Sequence, residues 1–153
     1  MKHIFLISFI ALFSLSCNAQ NTINSNELTI NGVVVMGKNK SVLTASFGQP
    51  IKIEKSFSEM DNVDMYIYKY MGVIFYVKEN LIDDFEITNN KYLFTKHNIK
   101  VGDNTEQLKK IYPLSYNQNS SYFLLHLINP SYKFLSIDFN ENKIITEIRT
   151  GSY

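Results

Sequence analysis

Residues able to do chemistry are few and scattered. The histidines are His3, His97 and His126, and the single cysteine is Cys17. His97 and His126 stand far apart in sequence, and neither has a Cys or Glu at metal-ligand spacing, so no zinc site is expected. The acidic run Glu59-Met60-Asp61-Asn62-Val63-Asp64 lacks the glycine and the distal glutamate of a calcium loop. Asp83 and Asp84 are adjacent in a stretch that reads as a strand. Side chains alternate there between opposite faces, so the two are not expected to work as a pair. No Gly-x-Ser-x-Gly elbow is present, and Cys17 is not placed as a nucleophile. These residues point to a protein without catalytic groups, metal or cofactor.

Cys17 has a different reading. Lys2 and His3 open the chain, and Ile4 to Leu15 form an apolar run broken only by Ser8 and Ser14. The run is short of the ~20 residues that a membrane-spanning helix needs. A basic start, an apolar core and small residues after it make a secretion signal. Ser16-Cys17 resembles the end of a bacterial lipoprotein box, in which the cysteine is acylated and becomes the first residue. A cut after Ala19 is the alternative, with Cys17 and Ala19 as the small residues of the site. The lipoprotein reading is the favoured one, because the sole cysteine closes the apolar core. Residues 1–16 are therefore expected to be a signal peptide and 17–26 a flexible polar linker. Residues 27–153 are expected to be one domain. Loss of Lys2 with the signal takes the formal charge of +1 down to zero. A neutral chain argues against nucleic-acid binding. The expected location is the periplasm or cell envelope, with a lipid anchor to the membrane.

The elements that follow are short. Asn31-Gly32 is a two-residue hairpin signal within Glu27 to Met36. Val42, Leu43 and Phe47 repeat at helical spacing, with Asn39 or Ser41 as cap and Gly48 and Pro50 as stop. Ile51 to Phe57, Val63 to Met71, Val73 to Val77 and Leu81 to Ile87 read as four antiparallel strands on short turns. A second helix is expected around Leu108, Ile111 and Tyr112, capped by Asn104 or Thr105 and ended by Pro113. Two strands about a turn at Asn117 to Ser120, then two more, complete the chain. Gly37 and Gly102 each precede a leucine by six residues, and later apolar positions also correspond. The expected class is α+β. It consists of two tandem helix-plus-antiparallel-strand repeats, about 27–90 and 91–153, with short helices packed on one face of the sheet.

A glycine, a short helix closing on "FGQP", a Tyr-rich strand, a second glycine and an Asn-containing hairpin turn together resemble the domain of the beta-lactamase inhibitor protein. They also resemble small outer-membrane lipoproteins that assist barrel assembly, and related secreted domains with "LTINGVVV" and "MGVIFYV". The resemblance implies a binding role and carries over no catalytic residue.

Within the strands the aromatic residues stand out. Tyr66, Tyr68 and Tyr70 share one face of their strand; Met65, Ile67 and Lys69 share the other. Tyr122, Leu124, His126 and Ile128 oppose Phe123, Leu125 and Leu127 in the same way. A sheet covered on one side leaves its other face wet. Tyr66, Tyr68, Tyr70, Tyr122 and His126 are the candidate contacts for a protein partner on that wet face, since tyrosine joins rigid area to a polar tip. The alternatives are tyrosines serving only as strand formers, and a small-molecule or lipid carrier, or a hydrolase, with a cavity between sheet and helices.

Overall fold

The computed structural model describes residues 21–117 and 120–153. The signal segment and Cys17 lie outside the described residues, as do positions 118 and 119 of the expected turn. Among the described residues, no helix is long and apolar enough to cross a membrane.

The chain opens with β1 (Thr22–Ile23), followed by a single 3-10 turn at Ser25–Glu27. This corrects the linker reading of 17–26 for the described part. Ile23 is 2% exposed and β1 pairs parallel with a later strand, so one apolar residue in a polar run is enough to dock it. β2 (Thr29–Ile30) and β3 (Val33–Val34) form the expected hairpin on Asn31-Gly32, both at positive φ. α1 (Ser41–Phe47) has its Ser41 amide held by the Asn39 side chain at 3.0 Å and ends at Gly48 with φ 79°.

Four strands follow as expected: β4 (Lys52–Ser58), β5 (Val63–Tyr70), β6 (Val73–Lys78) and β7 (Leu81–Ile87). Residues 88–105 are largely irregular, and α2 spans Glu106–Ile111. The last strands are β8 (Tyr122–Leu127), β9 (Lys133–Phe139) and β10 (Ile145–Ser152).

Eight strands make one sheet in the order β1-β8-β9-β10-β7-β6-β5-β4, mixed only at the parallel β1–β8 pair. This overturns the two-repeat α+β architecture. The fold is rich in β-structure, with α-helices of only seven and six residues. The second half has three strands of its own where four were expected, because Pro113–Ser115 forms a 3-10 turn in place of a strand. Its outer neighbour is borrowed from the N-terminus.

The periodic matches in the sequence do have a local cause. Gly37 donates to Ile82 O at 2.8 Å, and Gly102 to Ile145 O at 2.8 Å. Lys40 and Thr105 then bond Asn80 and Lys143 at 2.8 and 3.0 Å. Each helix is led in against a hairpin end in the same way, and the likeness goes no further.

One face of the sheet carries the core. Val73, Phe75, Val77, Phe85, Ile87, Phe123, Leu125, Leu135, Ile137 and Ile148 on that face are all essentially buried. Helices supply little of the cover. Leu28, Ile30 and Val35 of the hairpin region, and Tyr92, Phe94 and Ile99 of the irregular segment, are all buried against the sheet. The hairpin and that segment are stitched together, with Asn31 N–H on Leu93 O at 2.7 Å and Thr95 N–H on Thr29 O at 2.9 Å.

Register decides the fate of the tyrosine row. Tyr66, Tyr68 and Tyr70 lie opposite Val77, Phe75 and Val73, so they occupy the core-bearing face. The expectation that they stand on the open face is corrected here. Tyr70 is 8% exposed and packs edge-on to Phe75, with Phe47 of α1 6.1 Å away. Tyr68 is half-buried, and Tyr66, covered only by the Lys40 ammonium 5.8 Å from its ring, is 37% exposed. Alternation told which residues travel together, but not which set the cover would fall upon. A graded cost follows. Tyr70→Ala should lose ~3 kcal/mol and Tyr66→Ala under ~1 kcal/mol in urea unfolding, and equal losses would contradict this register.

Candidate functional site

The open face carries a different aromatic group. On β8, Tyr122, Leu124 and His126 face away from the core, as expected, while Phe123, Leu125 and Leu127 are buried. The structure thus keeps Tyr122 and His126 on the open face and separates them from Tyr66, Tyr68 and Tyr70.

His126 is joined by Tyr153, which the sequence reading did not single out. Its hydroxyl lies 2.7 Å from His126 Nδ1, with the rings stacked at 24° and 5.7 Å. Phe134 lies opposite His126 on one side and Gly151 on the other. A Cβ on Gly151 would sit 2.8 Å from the Phe134 ring, so the glycine makes room for it. Tyr153 then rests 5.1 Å from Phe134. Tyr153 is 62% exposed, and Tyr122, 46% exposed, stands four residues from His126 on the same face of β8, ~13 Å along the strand, so the open face carries an aromatic platform with polar tips. The signal missed in the sequence was Gly151 two places before a tyrosine, facing Phe134.

Beside the platform the open face turns acidic. Arg149 bridges Asp138 and Glu147 at 3.4 and 3.1 Å, and Ser136 donates to Asp138. Burial, and then the charge of Glu86, raise the Glu147 pKa.

A second feature lies where the sheet opens. β7 and β10 pair only at Ile87–Ile148 and Glu86–Arg149. Beyond that point they part, and a cleft of about 660 Å³ forms at the end of the sheet. Met36, Met60, Leu81, Tyr132 and Tyr153 line it together with charged groups.

Lys133, 2% exposed, reaches into the gap. Its ammonium meets Asp83 Oδ1 at 2.8 Å, Asp83 O at 3.1 Å and Asp84 Oδ2 at 2.9 Å. This corrects the separation expected of Asp83 and Asp84. Tyr76 pairs with Asp84 and Val77 with Ile82, so Asp83 is the extra residue of a β-bulge and escapes strict alternation. Lys78 extends the chain of charges by bonding both Asp83 and Asp61.

Burial works to raise the Asp83 pKa, but hydrogen bonds from Lys133 and Lys78 outweigh it and hold the pKa below its ordinary value. Asp84 is deeper, and burial raises it despite Lys133. Elsewhere, burial against the core pushes Tyr112 up to about 12. His97 is half-buried, edge-on to Tyr112, and burial lowers its pKa.

Among the described residues, no group of His, Cys, Asp and Glu side chains could hold a metal ion. The space between sheet and cover is filled, with Phe75, Phe85 and Phe94 fully buried and Phe47 5.0 Å from Phe75. A small ligand would therefore have to use a surface cleft, such as the one at the end of the sheet.

No family model matches the sequence, and no curated protein does. Among solved structures, the chain is similar to an extracellular protein containing a SCP domain from Bacillus anthracis str. Ames. The identity is 12% and the TM-score 0.45, with 77% of this chain and 44% of that one covered. This chain thus spans under half the length of that protein, and the likeness is too slight to carry fold or function across.

The ion cluster makes a prediction with a definite sign. Lys133→Met leaves the buried Asp84 carboxylate without its cation and Asp83 with Lys78 alone, and should cost ~3–5 kcal/mol at pH 7. In the native protein the depressed Asp83 pKa contributes stability above the ordinary carboxylate range, and that contribution is lost as pH falls through the folded pKa. In the variant Asp83 keeps Lys78, but buried Asp84 loses the cation that opposes its raised pKa, so its penalty grows and is relieved as pH falls. Urea midpoints of the two proteins should therefore converge between pH 7 and pH ~4, and a gap independent of pH would refute the assignment.

Proposed function

We propose that the protein is a non-enzymatic, exported envelope protein that binds another protein. The recognition surface is the aromatic platform of Tyr122, His126 and Tyr153 on the open face of the sheet. The observation that carries this reading is the stacked His126–Tyr153 pair, with Tyr153 tilted against Phe134, an exposed group for which the core has no use. Aromatic side chains held in place before binding give area at little cost in conformational freedom. The acidic groups beside the platform favour a partner with basic residues at its rim. Export and membrane anchoring rest on the N-terminal signal anatomy and on Cys17.

A small-molecule carrier is the second reading, favoured by the end cleft with its charged floor. It shares Tyr153 with the first reading but uses the cleft in place of Tyr122 and His126.

Two experiments check these statements. A photo-crosslinking amino acid at position 122 should capture a discrete partner in the native envelope, and one at position 68 should not. Capture from both positions alike would remove the assignment to the platform. Metabolic labelling with a clickable fatty acid should mark the wild-type chain and not Cys17→Ser; label persisting in the variant would remove the acyl anchor.

A further inference from the structure

The two edges of the sheet are unlike. β1 is two residues long, whereas β4 runs seven residues in unbroken register with β5 and, among the described residues, has no strand on its outer side. Proteins blunt such edges with proline, bulges, short length or charged side chains, because an open row of N–H and C=O groups is a template for another strand; β4 has only the last of these, in Lys52, Glu54 and Lys55. Within β4 there is no proline, glycine or bulge. Its exposed apolar residues lie toward the covered side: Ile53 is 50% and Phe57 52% exposed, and Ile51 just before it 71%. Ile53 lies opposite Tyr68 and extends the row from there, while Lys55, on the same side between Ile53 and Phe57, lies opposite Tyr66. The opposite side of the strand carries Lys52 and Glu54, with Glu54 also held by Lys69 at 2.7 Å.

We propose that β4 is the contact surface for a second copy of this chain, added antiparallel about a twofold axis at Ile53. The charge pattern selects that axis. Around Ile53, Lys52 of each copy faces Glu54 of the other and the two Ile53 side chains meet. An axis at Lys52, Glu54 or Lys55 would set like charges directly opposite, which is unfavourable across an antiparallel pair. An axis at Ser56 or Phe57 brings no unlike charges together within β4. The Ile53 register closes the free edge and continues the apolar row across the junction.

A charge-reversal pair tests this. Sedimentation of the wild-type chain between about 1 µM and about 1 mM should show a monomer–dimer equilibrium. Lys52→Glu alone and Glu54→Lys alone should each be monomeric over that range, since each places like charges face to face. An equimolar mixture of the two should recover association, because one chain then carries two acids and the other two lysines at these positions. Amide hydrogen exchange of the wild type supplies a readout that needs no variant: β4 should become at least ten-fold more protected at the top of the range, and β1 should not. A wild type that stays monomeric, a dimer indifferent to both reversals, a mixture that fails to associate, or β4 amides unprotected in the dimer would each overturn the proposal.

Discussion

The narrow joint between β7 and β10 governs this molecule. Two four-strand groups meet there through only Ile87–Ile148 and Glu86–Arg149. Past those pairs the strands are no longer laced by their backbones. Thr150 accepts the Phe85 amide at 3.0 Å, and Lys133 fills the gap beneath Asp83 and Asp84. Buried charges are costly to desolvate, and they persist only where each is met by a partner. Here the lysine has an acceptor for each of its three N–H donors, one of them a backbone carbonyl. A polar clamp thus stands where a ladder would otherwise run, and the cleft is the space left by that substitution.

The second constraint is one-sidedness. A large sheet with two short helices must find its cover elsewhere, and irregular chain supplies most of it. Phe94 and Ile99 exchange backbone hydrogen bonds at 2.7 and 3.0 Å, which lets a segment with little regular structure enter the core without orphaned amides. The cover is nevertheless too small for eight strands. It is complete over β6 and β7, thins across β5 and is missing over β4. The passage from Tyr70 to Tyr66 records that thinning residue by residue.

Local features were legible in the sequence because local rules control them. Asn31-Gly32, the stop at Gly48, the helix broken by Pro113 and the four-strand run from Lys52 to Ile87 depend on neighbouring residues alone. The open-face placement of Tyr122 and His126 was also legible, since Phe123, Leu125 and Leu127 mark the buried side without ambiguity. The face of Tyr66, Tyr68 and Tyr70 was not, because Met65 and Ile67 are as apolar as the tyrosines and the choice belongs to distant segments. Asp83 and Asp84 were hidden by a bulge, and Lys133 by the habit of lysines to lie in solvent. The two-repeat reading mistook a shared way of leading a helix in for a shared architecture.

The parallel pairing of β1 has a further consequence. Thr22 lies beside His126, so the chain enters the fold next to the aromatic platform. β4 lies seven strand spacings away, ~33 Å at ~4.8 Å each. If Cys17 carries acyl chains, the five residues from there to β1 reach at most ~17 Å. The platform then stays close to the bilayer while the far edge sweeps a circle around the tether. Molecules held in this way would diffuse in two dimensions, and that loss of freedom would raise the frequency with which their outer edges meet.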